Sequence, residues 1–230
     1  MKSKGKDLVT CMSNLVMETL VLGMVQTNCY IISNKETREA LCFDPADRAE
    51  RIEQYLKAND LVCKAILLTH GHFDHILAAS DLKEKTHAPV YAHEAETGLL
   101  ADVKLNASDQ FRKECSLKPD ELLKDQQVLQ LAGFTIRVIH TPGHTAGGTC
   151  YYFTGHHLLI SGDTLFRGDI GRYDLPTGDG NQLVESICNK LMILEDEVEV
   201  YPGHGPSTTI GYERDNNIYL SPGWDPYEGM

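Results

Sequence analysis

The chain has 230 residues, of which 42% are hydrophobic, and a formal net charge of −12. This length suits one domain with a sizeable core, and the acidic balance argues against a nucleic-acid-binding surface or an anionic-membrane partner. The seven cysteines are odd in number and form no C-x-x-C pair, which is typical of buried, reduced thiols.

The N-terminus is basic, but no adequate apolar segment follows it, so we do not expect a signal peptide. No apolar stretch of about 18 residues is present, and no transmembrane helix is expected. We therefore expect a cytoplasmic protein in which residues 1–16 form a loosely attached extension and residues 17–230 form a single domain.

The hydrophobic patterns predict a chain that is rich in strands, then helical, then rich in strands and then helical again. The predicted strands cover residues 18–23, 28–33, 40–44, 62–68, 89–92, 127–131, 134–140, 148–153, 157–161 and 198–201. The predicted helices cover residues 47–59, with Asp47 as the cap, 76–85, 94–101, 182–194 and 208–219. Residues 102–126 are polar and predict a surface excursion. Two packed sheets with helices on both outer faces satisfy this order.

Residues 69–75 contain three histidines and one aspartate, directly after an apolar run that predicts a buried strand. Side chains alternate along extended backbone, so His70 and His72 point to the same side. Asp74 and His75 follow where the chain turns. Imidazole and carboxylate are ligands of divalent transition metals such as zinc, iron and manganese. One ion takes about four to six donors, so these four and others elsewhere could bind two ions.

Three further segments repeat the pattern of apolar strand, tight turn and one ligand-type side chain. They are Thr141-Pro142-Gly143-His144-Thr145, Ser161-Gly162-Asp163-Thr164 and Tyr201-Pro202-Gly203-His204-Gly205-Pro206. Glycine and proline fix such turns and thereby aim the side chain. His144, Asp163 and His204 are therefore further candidate ligands.

In their order, the four motifs resemble the motif series of the metallo-β-lactamase superfamily, and they are most similar to those of its glyoxalase II-type hydrolases. The resemblance runs from about Thr19 to Leu220. It implies a four-layer αββα sandwich, which agrees with the order of the predicted elements. Residues 165–176 and 206–213 resemble a compact subgroup of these hydrolases that lacks the C-terminal helical domain.

The resemblance also implies roles for the ligand-type side chains, which would bind two divalent ions, with zinc expected and iron or manganese as alternatives. The first ion would be bound by His70, His72 and His144. The second would be bound by Asp74, His75 and His204. Asp163 would bridge the two ions, and Asp74 and Asp163 would also be catalytic.

These roles point to hydrolysis of a thioester or ester, similar to that of hydroxyacylglutathione hydrolases. Metal ions lower the pKa of bound water to about 7, and the metal-bound hydroxide would attack the carbonyl. The expected partner is a small-molecule substrate, not a nucleic acid or a membrane, and the chain would be a monomer or small homo-oligomer.

Three other functions stay open, one of which is a non-catalytic metal-binding or interaction module, although the intact ligand pattern weighs against it. Persulfide dioxygenases of the same superfamily use a single iron, whose ligands here would be His70, His144 and Asp163. A nuclease of the superfamily is a second alternative, although the net charge of −12 weighs against it.

Two departures from the family pattern bear on the substrate. The chain ends before the helical domain that helps glyoxalase II to bind glutathione. In addition, His204-Gly205-Pro206 stands where those enzymes usually have His-Glu-Tyr, so the glutathione-binding tyrosine is missing. We therefore expect lactoylglutathione to be a poor substrate.

Asp44 is expected to support a ligand, with a simple Asp-Pro turn as the alternative. Arg172 could meet a substrate carboxylate, with an ordinary salt bridge as the alternative.

Overall fold

The computed structural model describes residues 14–111 and 113–227. Within these residues the chain forms fourteen β-strands and six α-helices. The strands are β1 (Leu15–Leu22), β2 (Thr27–Asn34), β3 (Glu39–Phe43), β4 (Val62–Leu67), β5 (Val90–His93), β6 (Glu121–Leu123), β7 (Val128–Leu131), β8 (Phe134–His140), β9 (Thr149–Phe153), β10 (Leu158–Gly162), β11 (Leu165–Phe166), β12 (Asp169–Ile170), β13 (Glu199–Pro202) and β14 (Thr208–Thr209). The helices are α1 (Ala49–Ala58), α2 (Phe73–Ile76), α3 (Ala79–Thr86), α4 (Thr97–Ala101), α5 (Gly180–Ser186) and α6 (Ile210–Asn216).

Most of the strands form two six-stranded sheets. The first sheet has the order β1-β2-β3-β4-β5-β6; its β1–β2 and β2–β3 pairs are antiparallel and the pairs from β3 onward are parallel. The second sheet has the order β14-β13-β10-β9-β8-β7, in which β10 and β13 are parallel and the other pairs are antiparallel. Strands β11 and β12 form a small separate ribbon.

Three apolar clusters separate four layers, as an αββα sandwich requires. Helices α1 and α3 pack on the first sheet through residues such as Ile52, Leu82 and Ile66. The two sheets face each other through residues such as Phe43, Leu67, Phe134, Tyr151 and Phe153. Helices α5 and α6 pack on the second sheet through residues such as Leu183, Ile210 and Leu159. The predicted four-layer sandwich is confirmed.

All five predicted helices differ in their bounds from the observed α-helices, and for two of them the contacts show the difference in detail. Helix α1 begins at Ala49, and Asp47 does not cap it: the Asp47 carboxylate accepts a hydrogen bond from the N–H of Arg48, which has a left-handed φ of 51°. The helix predicted over residues 76–85 is divided into α2 and α3. The cause is a tertiary contact, because the Ala78 N–H donates to the carbonyl of Pro45 at 2.9 Å.

The predicted surface excursion, residues 102–126, contributes one strand. Strand β6 pairs in parallel with β5 and buries Leu123 in the core between the sheets. A three-residue strand is too short for its hydrophobic alternation to be recognised in a sequence.

Part of the N-terminal extension predicted over residues 1–16 falls outside the described residues, which begin at Asn14, and β1 already starts at Leu15. The cysteines of the described segments are free thiols, and four of them are buried: Cys29, Cys42, Cys63 and Cys150. None of the described helices is long and apolar enough to cross a membrane.

The packing between the sheets makes Phe43 a test of the fold. Its ring is fully buried and lies 5.4 Å from that of Tyr151, centroid to centroid. Phe43→Ala should lower the free energy of unfolding by about 3–5 kcal/mol, because it leaves a cavity in the core. Ile193→Ala is the control: Ile193 is 74% exposed, and its loss should change stability by less than about 0.5 kcal/mol. Urea denaturation measures both, and equal effects would contradict this packing.

Candidate metal centre

The predicted ligand segments follow strands of both sheets and meet at one edge of the sandwich. The segment with His70 follows β4, and those with His144, Asp163 and His204 follow β8, β10 and β13. Hydrogen bonds join these loops across the sheets. Tyr151 donates its hydroxyl to the Leu68 carbonyl at 2.7 Å, and the Asn28 N–H in β2 donates to the Gly203 carbonyl at 2.7 Å.

Three buried histidines form the first ligand group. His144 Nε2 lies 3.2 Å from His70 Nε2 and 2.9 Å from His72 Nδ1, so the three nitrogens converge on one point. Burial lowers the pKa of all three rings, and that of His72 falls to about 3. The imidazoles are therefore neutral near pH 7, which is the state that binds a metal ion.

Asp74, His75 and His204 form the second group. Asp74 Oδ2 lies 3.4 Å from His75 Nε2 and 3.2 Å from His204 Nε2. Thr27 donates its hydroxyl to the same carboxylate oxygen at 2.8 Å. Burial opposes ionisation of Asp74, but His75, His204 and Thr27 hold its pKa below the usual value. Asp74 is thus a carboxylate with a fixed orientation.

Asp163 lies between the two groups. Its Oδ1 is 3.4 Å from His75 Nε2, and its Oδ2 is 3.7 Å from His144 Nε2 and 3.6 Å from His204 Nε2. The motif glycine next to His204 permits this approach: a Cβ on Gly203 would lie only 2.1 Å from Asp163 Oδ1. One carboxylate can therefore contact both groups.

The donor set fits divalent cations. His75 Nε2 and Asp163 Oδ1 are buried and have no hydrogen-bond partner within the described part of the chain, and buried polar atoms are ordinarily paired. Burial disfavours a charge on His75, yet Asp74, Asp163 and Asp44 raise its pKa well above the usual value. Positive charge is favoured at this point, and a divalent ion bound by imidazole and carboxylate would supply it.

A second layer of hydrogen bonds orients the histidines. Asp44 Oδ2 lies 3.0 Å from His75 Nδ1 and accepts the hydroxyl proton of Thr69 at 2.7 Å. Because that hydroxyl donates to Asp44, it accepts from His70 Nδ1, 3.0 Å away. His144 Nδ1 donates to the Arg172 carbonyl at 2.7 Å. These contacts leave the opposite ring nitrogens of His70, His75 and His144 free to face the centre, and they place Asp44 where the sequence predicts a supporting residue.

Arg172 lines the cleft over the centre, but its guanidinium is already paired. Its Nε and one terminal nitrogen each donate to the Asp174 carboxylate at 2.8 Å. The salt bridge considered as the alternative is therefore present, and the part of Arg172 that contacts a predicted ligand is its backbone carbonyl.

Glu96 was missed by the sequence reasoning. It is 1% exposed, and its carboxylate accepts hydrogen bonds from the N–H of Gly71 at 2.8 Å and from that of Gly147 at 2.6 Å. Gly71 lies between His70 and His72, and Gly147 follows His144, so Glu96 ties the loops of the first group together. Its burial could have been recognised from the helical spacing, because the apolar residues Leu99 and Leu100 lie at i+3 and i+4 from Glu96 and so share its helix face.

Replacing Glu96 should therefore loosen these loops. Glu96→Gln keeps one acceptor oxygen but turns an amide group towards a backbone N–H, which should lower the free energy of unfolding by about 1–3 kcal/mol. The exposed Glu94 in the same helical turn provides the control: Glu94→Gln should cost less than about 0.5 kcal/mol. Urea denaturation of both variants gives the comparison, and an unaffected Glu96→Gln protein would refute the role of this carboxylate.

Comparison with known proteins agrees with this geometry. The family described as "Metallo-beta-lactamase superfamily" matches residues 22–209. Hydroxyacylglutathione hydrolase GloC of Haemophilus influenzae is 34% identical over 208 residues, which cover 89% of this chain and 98% of that protein.

Two crystal structures have the same fold. BLEG-1 B3 metallo-beta-lactamase is 42% identical, with a TM-score of 0.85, and the match covers 90% of this chain and 100% of that one. TTHA1623 in a di-iron-bound form is 36% identical, with a TM-score of 0.78, and the match covers 88% of this chain and 100% of that one. The ordered ligand motifs, the αββα sandwich and the family match together show that this chain belongs to the metallo-β-lactamase superfamily.

Proposed function

We propose that this protein is a hydrolase of thioester or ester bonds that uses two divalent metal ions. The observation that carries the proposal is the position of Asp163, whose two oxygens contact donors of both ligand groups. The di-iron-bound form of TTHA1623 supports two ions, and the similarity to GloC supports a thioester substrate.

Seven side chains would hold the ions. The first ion would take His70, His72 and His144, and the second would take Asp74, His75 and His204, with Asp163 reaching both. When bound, such ions would supply Lewis acidity, which lowers the pKa of a bound water molecule to about 7 and polarises a carbonyl oxygen.

The chain itself orients the reacting groups. Asp74 lines the cleft, which has a volume of about 210 Å³, and its lowered pKa keeps it ionised, so that it can accept a hydrogen bond from an attacking water and orient it. Asp44 and the Arg172 carbonyl hold His75 and His144 in fixed tautomers. No serine or cysteine is among the described residues that line the cleft, so hydrolysis by direct attack of water is favoured over a covalent acyl-enzyme.

Asp163→Ala tests the proposal. The variant should bind fewer metal ions than the two per chain expected of the parent, and its kcat/KM for thioesters should fall at least about a hundredfold, because it loses the carboxylate shared by both groups. Asp169→Ala is the matched control, since Asp169 is an exposed carboxylate in the same segment. Metal analysis by mass spectrometry and assays with thioesters, lactones and a β-lactam provide the measurements.

Two results would count against a thioester or ester hydrolase. One is the absence of turnover of every thioester and lactone by fully metallated protein. The other is a single iron per chain together with consumption of oxygen in the presence of glutathione persulfide, which would favour the dioxygenase. Turnover of the β-lactam alone would instead identify an activity like that named for BLEG-1.

A further inference from the structure

A second cavity opens beside the metal cleft. It has a volume of about 580 Å³, within the usual range for small-molecule sites. The cavity and the cleft share three lining residues, Val25, Phe73 and Asp74, so the two spaces lie directly side by side. A substrate whose carbonyl lies at the ligands can therefore extend into the cavity.

Apolar side chains form most of the cavity wall. The ring of Phe73 is stacked on that of Phe111, with centroids 3.9 Å apart and an interplanar angle of 20°. Leu77 lies further along the wall. Met24, which is 76% exposed, and Val25 lie at the rim, in the turn between β1 and β2. Apolar side chains left exposed around a cavity are typical of a ligand-binding site.

Among the described residues, the charges that line this space offer no unpaired cation to an anionic group. Lys113 contributes the cation among the described residues of the cavity, and its Nζ is 3.1 Å from Asp81 and 3.0 Å from the Leu77 carbonyl. Arg172, in the cleft, is paired with Asp174. Asp47 adds negative charge to the cavity wall. The two carboxylates of a glutathione moiety would find no unpaired cation among the described lysine and arginine residues that line the two spaces.

We infer that the cavity binds a neutral apolar arm of the substrate, an alkyl chain or an aromatic ring joined to the reacting thioester. This inference rests on the proposed function and narrows its substrate class. The arm enters past Asp74 and lies between the rim residues Met24 and Val25 and the Phe73–Phe111 pair. Its burial displaces water from the apolar wall, which supplies binding energy.

Two thioester series would test the inference and show which side of the bond carries the arm. The first joins acetyl, butanoyl, hexanoyl or octanoyl groups to N-acetylcysteamine. The second joins acetyl to N-acetylcysteamine, benzyl mercaptan or glutathione. If the acyl group enters the cavity, kcat/KM should rise about three- to fourfold for each methylene of the first series. If the thiol enters, the benzyl thioester should be the best substrate of the second series.

Phe111→Ala should lower the preference for the apolar arm about tenfold, measured as the octanoyl-to-acetyl or benzyl-to-cysteamine ratio of kcat/KM. Phe166→Ala is the matched control, because the Phe166 ring lines neither space and lies 6.4 Å from the His204 ring, centroid to centroid. It should leave the ratio unchanged. Calorimetry with the non-hydrolysable thioether S-octyl-N-acetylcysteamine gives a readout without turnover, and Phe111→Ala should weaken binding about tenfold.

The outcomes separate this inference from the proposed function. If the thioether binds and Phe111→Ala weakens that binding, but no thioester is hydrolysed, the apolar pocket is supported and the proposed hydrolase activity is wrong. If thioesters are hydrolysed but kcat/KM is the same for all members of each series, or is highest for the glutathione thioester, the apolar pocket is wrong. The proposed hydrolase activity is then still supported.

Discussion

The carboxylate of Asp44 makes the hydrogen bonds on which the geometry of the metal centre depends. One oxygen accepts from the Thr69 N–H at 2.7 Å, and the other lies within hydrogen-bond distance of the Thr69 hydroxyl and of His75 Nδ1. Through Thr69 the same carboxylate also orients His70. Asp44 thus connects the ends of β3 and β4 and fixes one histidine of each ligand group. Such outer contacts fix the tautomer and the ring orientation of a ligand.

The centre also depends on the packing of the two sheets. His70, His72, Asp74 and His75 follow the first sheet, whereas His144, Asp163 and His204 follow the second. The Thr149 N–H donates to the Thr69 carbonyl at 2.9 Å, and the Tyr151 hydroxyl donates to Leu68, so the strand ends are joined directly beneath the ligands. Neither sheet could assemble the donor set by itself, and the aromatic core between the sheets therefore determines where the ligands lie.

The sequence was sufficient to predict the layer order and the residues that meet at the centre, because each ligand follows an apolar strand and a turn fixed by glycine or proline. It was insufficient where a tertiary contact decides the local structure. The break between α2 and α3 comes from the Ala78–Pro45 hydrogen bond. The role of Glu96 comes from two backbone N–H groups that are distant in the chain. The partner of Arg172, by contrast, lies only two residues away at Asp174.

The turn between β1 and β2 has an evolutionary consequence. Met24 and Val25 are exposed, belong to neither ligand group and yet form the rim of the space beside the centre. Exposed positions away from caps and buried networks usually tolerate substitution with little loss of stability. Under the function proposed above, mutations in this turn would change which substrates enter while Asp44, Glu96 and the proposed ligands keep their positions. A lineage that carries this fold could then diversify its substrates at the rim without rebuilding the candidate metal centre.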